Sequence, residues 1–202
     1  MTEHCDASRR TILGAVAGMA GLAYAGPVLA QGGAAEQKPR QAWASKDGAV
    51  TIGPNAAPVA SALDMLLISQ AFARYGMAHD EGLGPVLATL FTADAVVEVA
   101  DGNGKPFQTV TGHAAVIANF ANTFGQQADQ RRHCIGNVLV EEATATTARA
   151  LAYGLVSVAA GGGLILGAAV IYTARLRKED GVWKFARLFI GMDAYTTPKP
   201  RV

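Results

Sequence analysis

Between residues 172 and 188 the chain reads YTARLRKEDGVWKFARL, two extended runs divided by Glu179-Asp180-Gly181. Tyr172, Ala174 and Leu176 alternate with polar residues ahead of the break, the period of a half-buried strand, and a second run follows it. Asp-Gly between two such runs is a strong hairpin signal. The spacing therefore predicts antiparallel strands at about 164–178 and 182–193. Working back towards the N-terminus, GGG and EEAT mark two earlier reversals and predict long strands at about 145–160 and 131–142.

Ahead of these strands the periodicity changes. HAAVIANFANTF is apolar at Val116, Ile117, Phe120 and Phe124 and stops at Gly125, which predicts a helix. Before it, VVEVA and PFQTVTG read as two short strands around Asp101-Gly102-Asn103-Gly104. Further back, Pro58 and Ser61 sit where a helix should start, and Leu63, Leu67, Ala71, Tyr75 and His79 recur every four residues. A short second helix, LGPVLATLF, tolerates Pro85 only in its first turn. Two helices, two short strands, a third helix and four long strands predict an α+β domain, a strongly curved antiparallel sheet packed on three helices in the shape of a cone. A Rossmann-type arrangement does not fit that order.

The chain has 202 residues, half of them apolar, with a net charge of +1, which suits one domain with a real core. No basic excess or Lys/Arg cluster interleaved with aromatics marks a nucleic-acid surface. The segment SRRTILGAVAGMAGLAYAGPVLA reads as an export signal. Ser8-Arg9-Arg10-Thr11-Ile12-Leu13 fits the twin-arginine consensus, and Val28-Leu29-Ala30 is small enough for cleavage before Gln31. An uncleaved anchor is the alternative reading, opposed by Pro27 and the glycine content. Removal of residues 1–30 takes Arg9, Arg10, Glu3 and Asp6 together and leaves the balance at +1. The mature chain is then expected in the periplasm, without stable membrane association. It keeps only Cys134, so it forms no intramolecular disulfide. Residues 31–58 read as an extended or disordered leader, 59–196 as the domain, and 197–202 as a tail.

The order of elements and four local signatures resemble the SnoaL-like branch of the nuclear transport factor 2-like superfamily. ISQAFARYGMAHDEG, LFTADAVVEV, RRHCIGNVLVE and YTARLRKEDGVWKFARL carry the resemblance, which spans about residues 60–195. It implies an α+β cone with an internal pocket, and a Trp183 that packs back on the sheet. Members include polyketide cyclases, scytalone dehydratase-like and bile-acid dehydratase-like enzymes, ketosteroid isomerases and epoxide hydrolases. The dehydratase-like members carry a tyrosine late in the first helix, an aspartate shortly after it and a histidine early in the first long strand. Tyr75, Asp80 and His133 stand in those places. A second aspartate of the bile-acid dehydratase-like pattern has no counterpart in RALAYGLVSV, and Ala174 replaces the Asp of the YxDxL strand.

Cofactor-free acid-base chemistry needs a group to take a proton, one to return it and a donor to the oxygen that gains charge. Histidine is the side chain whose ordinary pKa lies nearest neutrality, so His133 suits the base, Asp80 would orient it, and Tyr75 would donate to a substrate hydroxyl or carbonyl. Strand alternation places His133 and Asn137 on one face, with Cys134 on the other as a buried small residue. Asn137, Tyr172 and Phe120 are the candidate lining of a site for a small apolar molecule. Plainer readings stand beside these: Tyr75 as a core tyrosine, Asp80 as N-cap of the second helix, His133 as a structural residue, and His79 facing solvent or the helix dipole. Arg131 and Arg132 are expected solvated or paired with Glu141, Glu142 or Asp129. Histidines 79, 113 and 133 show no close ligand spacing such as HxxxH, no GxGxxG follows a strand and no P-loop occurs, so neither a metal nor a cofactor is expected. The Ala- and Gly-rich strands RALAYGLVSVAA and LILGAAVIY offer a flat apolar face for a homodimer.

Overall fold

The computed structural model describes residues 52–55, 60–100 and 106–195. The export signal, most of the leader, the 101–104 turn and the tail lie outside the described residues. The elements run α1 (Ala62–Asp80), α2 (Gly84–Thr89), β1 (Phe91–Ala100), β2 (Pro106–Thr111), α3 (His113–Gln126), β3 (Gln130–Ala143), β4 (Thr147–Ala160), β5 (Gly163–Glu179) and β6 (Val182–Tyr195). The strands form one curled sheet in the order β2-β1-β6-β5-β4-β3, with the helices packed against it. The α+β architecture is the expected one. One pairing departs from the all-antiparallel expectation: β1 runs parallel to β6, with Val97 opposite Leu188.

The β5–β6 hairpin turns on Asp180 and Gly181, both at positive φ (50° and 78°), between the paired Glu179 and Val182. Two successive residues of that kind make the turn whose twist matches its flanking strands. Trp183 is buried beside this turn, and its indole N–H donates to Asp64 Oδ1 at 2.9 Å, which Lys178 Nζ also reaches at 2.8 Å. Asp64 in turn closes the N-terminal box of α1, where its backbone N–H donates to Ser61 Oγ at 3.0 Å. The hairpin and the start of the first helix are thereby fastened at one carboxylate.

The buried face of α1 is Ile68, Ala71, Phe72, Tyr75, Gly76, Ala78 and His79, whereas Leu63 is 63% exposed. A strict four-residue repeat drifts by roughly 40° per step on a 3.6-residue helix. The predicted stripe therefore begins on the solvent side at Leu63 and ends inside at His79. At its far end α1 lies close on β3. A Cβ built on Gly76 would meet His133 Cβ at 3.2 Å, His133 O at 3.3 Å and Ile135 Cδ1 at 3.3 Å. Glycine in a helix interior costs about 1 kcal/mol relative to alanine, and here it lets helix and strand approach. Gly76→Val is expected to lower stability by about 1–3 kcal/mol, measured by denaturant unfolding, because the larger side chain forces α1 off β3.

Strand β1 begins at Phe91, inside the segment read from sequence as the end of the second helix. The Phe185 N–H donates to Leu90 O at 2.8 Å, which draws this stretch onto β6. The core gathers aromatic rings from every layer: Phe185, fully buried, lies 5.2 Å from Phe72, 6.1 Å from Tyr75 and 5.6 Å from Phe91 between ring centroids.

Candidate functional site

Asp80 is the last residue of α1, one turn beyond Gly76, so the close approach at Gly76 delivers its carboxylate to the start of β3. There it does not cap the second helix; the residue preceding α2 is Leu83, which makes no side-chain cap. Instead Asp80 Oδ2 accepts from the His133 backbone N–H at 2.7 Å, and Asp80 Oδ1 is bound to His133 Nδ1. A carboxylate accepts, so Nδ1 carries the ring proton and Nε2 is left with a free lone pair. That is the tautomer a general base needs. The dyad is largely buried, with side chains 5% and 10% exposed.

The imidazole opens into a cavity of about 350 Å³ between the sheet and α3. Tyr75, Phe120 and Tyr172, all predicted site residues, line it with His133. Valines 97, 156 and 170 make much of the remaining wall apolar, while Gln108 Nε2 and Asn119 Oδ1, joined at 2.7 Å, add a polar edge. Tyr172 lies flat across β4: a Cβ at Gly154 would come within 2.6 Å of its Cε2. Burial, aided by the charge of Asp80, raises the pKa of the Tyr75 hydroxyl, and burial followed by the fields of Tyr75 and Asp80 raises that of Tyr172. Both phenols therefore stay protonated and can only be neutral partners to a bound molecule.

With this geometry in view, the comparison with known families is decisive: the model of the SnoaL-like domain matches residues 60–188. The chain belongs to the SnoaL-like family. Solved structures share its fold. A candidate scytalone dehydratase from Novosphingobium aromaticivorans is 22% identical, with 69% of this chain and 90% of that one covered at a TM-score of 0.59. An NTF2-like protein with a cystatin-like fold from the same species is 23% identical over 64% and 82% at 0.57. Aln2 from a Streptomyces species is 23% identical over 67% and 94% at 0.58. At such identities the likeness is one of fold. No functionally curated protein matches.

One side chain of this SnoaL-like domain lies elsewhere than strand alternation places it, and another differs from expectation in its burial. Asn137 sits at φ 52°, at a register shift between Gly136 and Leu139 where β3 carries an extra residue against β4. Such a bulge inverts the alternation. Asn137 therefore does not share the cavity with His133; it borders a second hollow of about 340 Å³ with Ile52, Leu139 and Tyr153. Cys134 does point away from the cavity, but it is exposed and not buried. Arg131 pairs with Asp129 at 2.8 Å, as one expected pairing had it, and Arg132 with Glu81 at 2.8 Å.

His79 is the residue that sequence reasoning undervalued. It neither faces solvent nor serves the helix dipole: it is 8% exposed, lines the cavity, and its ring centroid lies 4.8 Å from that of His133. Its pKa is pushed down to about 3, first by burial and then by the charges of His133 and Arg131, against the opposing pull of Asp80. The unfolded imidazole takes a proton near 6.5 and the folded one only near 3, so the unfolded state binds more protons across that window. Stability is therefore full above about pH 6.5 and is lost as pH falls. Melting curves of wild type and His79→Phe between about pH 7 and 4.5, above the carboxylate range, are expected to show a steeper loss in the wild type.

His79, Asp80 and His133 also offer one ligand atom each within 4.8 Å of one another, a grouping that sequence spacing did not disclose. They are the described residues that could hold a metal ion. Both Asp80 oxygens, however, are already taken up by His133, and a cation would have to displace the proton between them.

Proposed function

We propose that this SnoaL-like protein is a cofactor-free acid-base enzyme, a dehydratase, isomerase or cyclase acting on a small, largely apolar hydroxy or keto compound. The observation that carries the reading is the Asp80–His133 dyad opening into an apolar cavity. His133 Nε2 takes a proton from a carbon or hydroxyl of the substrate; Asp80 stabilises the imidazolium so formed; Tyr75 donates to the oxygen where charge collects. The imidazolium then returns the proton, to a leaving hydroxyl in a dehydration or to a second carbon in an isomerisation. The test is a panel of hydroxylated and keto bicyclic compounds incubated with the protein and followed by mass spectrometry and absorbance. Loss of water or formation of an isomer, faster than in buffer, supports the reading.

A second reading is that the cavity binds an apolar ligand without turning it over. The observation favouring it is that no carboxylate is among the described residues of the cavity wall, Asp80 reaching it only through His133. Stoichiometric retention of a panel compound, with no product formed, would select it.

The same proposal extends to where and in what form the protein acts. Export by the twin-arginine route suits a domain with no disulfide to form, and Tyr153 and Leu155, each 53% exposed on the outer face of β4, suit burial against a second copy. The exported protein is expected to begin at Gln31 by mass spectrometry and to have a dimer's mass by light scattering at micromolar concentration.

A further inference from the structure

One buried polar atom at the site has no role in the chemistry so far assigned. His79 Nδ1 is sealed from solvent and has no hydrogen-bond partner. Its ring is enclosed edge-on by Phe120 at 5.7 Å, Phe124 at 5.2 Å and His133 at 4.8 Å, yet the residue lines the cavity. With Nδ1 sealed, Nε2 is the ring nitrogen left to face the cavity. An orphaned buried N–H is rarer in proteins than an orphaned acceptor, so the proton belongs on Nε2 and the bare lone pair on Nδ1.

We infer that His79 is a second substrate-facing residue, a hydrogen-bond donor whose Nε2–H is aimed at an oxygen of the bound molecule while His133 serves as the base. The inference rests on the acid-base reading of the cavity. The two imidazoles are adjacent but unlike. His133 is held by a carboxylate that welcomes positive charge, whereas His79 touches aromatic edges and a neighbour that becomes cationic during turnover. The groups facing it are Asp80 from its own helix and Arg131 and His133 from β3, and of these only Asp80 favours its protonation. A second base would compete with the first for the same proton. A neutral donor complements it, because it stabilises the oxygen that gains charge as His133 takes the proton.

The test reads each ring separately. Long-range proton–nitrogen correlation spectra of the full chain, labelled with nitrogen-15 in histidine, are recorded from about pH 8 to about pH 5, the span over which an ordinary histidine titrates. The expected result is a His79 ring protonated on Nε2 and unchanged throughout, with a His133 ring protonated on Nδ1. Millimolar 2-naphthol, an apolar bicycle with one oxygen, is expected to shift the His79 Nε2–H downfield. His79→Phe should bind it about tenfold more weakly, while His79→Gln, whose amide reaches the position of Nε2–H, should stay within about threefold. A His79 proton on Nδ1, a ring that becomes charged within the range, no response to 2-naphthol, or equal affinity in the two variants overturns the proposal. A His133 ring protonated on Nε2 would instead remove the base and with it the acid-base reading, on a different resonance.

Discussion

His133→Ala is expected to lower turnover by about 10²–10⁴-fold on any compound the panel identifies, the contribution of a positioned general base. KM should change far less. The walls that hold an apolar substrate come from Tyr75, Phe120, Tyr172 and the valines, none of which depends on the imidazole for its place. The variant removes one of the two partners of the Asp80 carboxylate but keeps the backbone N–H of residue 133, which holds Oδ2 at 2.7 Å. Partial loss of a buried partner costs about 1–3 kcal/mol, so a melting curve of the variant must accompany the kinetics. Asp80→Asn is a useful companion: it leaves an oxygen to accept from the backbone but removes the charge that stabilises the imidazolium. If both variants turn over at the wild-type rate, the dyad is architecture and the proton is moved by other groups of the cavity.

The largest effect on stability is expected from Phe185→Ala, at about 3–5 kcal/mol out of a total that for a domain of this kind is about 5–15 kcal/mol. Phe185 is fully buried and meets Phe72, Tyr75 and Phe91, residues from α1 and β1. Removing the ring opens a void among aromatic groups that cannot collapse into it without tilting α1 away from the sheet. Denaturant unfolding should show a lower midpoint with an unchanged slope. Phe185→Leu, which refills most of the volume, should cost markedly less. Since Tyr75 rests on Phe185 and forms part of the cavity wall, ligand affinity should fall in the alanine variant before the fold is lost.

Much of this could be read from the residues. The long strands follow from period-two alternation punctuated by Asp-Gly and Gly-Gly, and the placement of Tyr75, Asp80 and His133 follows from their order in the motifs. What local pattern does not carry is how distant segments meet. The parallel pairing of β1 with β6 depends on a crossover through α3 and four strands. His79 seemed peripheral because helix ends usually are, and only the angular drift along α1 puts it inside. Asn137 went astray because alternation was continued through a bulge. The Gly136-Asn137 pair within a strand pattern was the available signal, since Asn tolerates positive φ and Gly often marks such an irregularity.

The carboxylate of Asp80 grips the backbone and the ring of the same residue, one oxygen on each. Rotation of the imidazole would break one bond, and a shift of the strand would break the other. The freedom of that side chain is therefore surrendered when the chain folds, and none remains to be lost when a ligand arrives. A catalyst built so should show an activation entropy close to zero for its proton-transfer step, with its temperature dependence carried almost wholly by enthalpy.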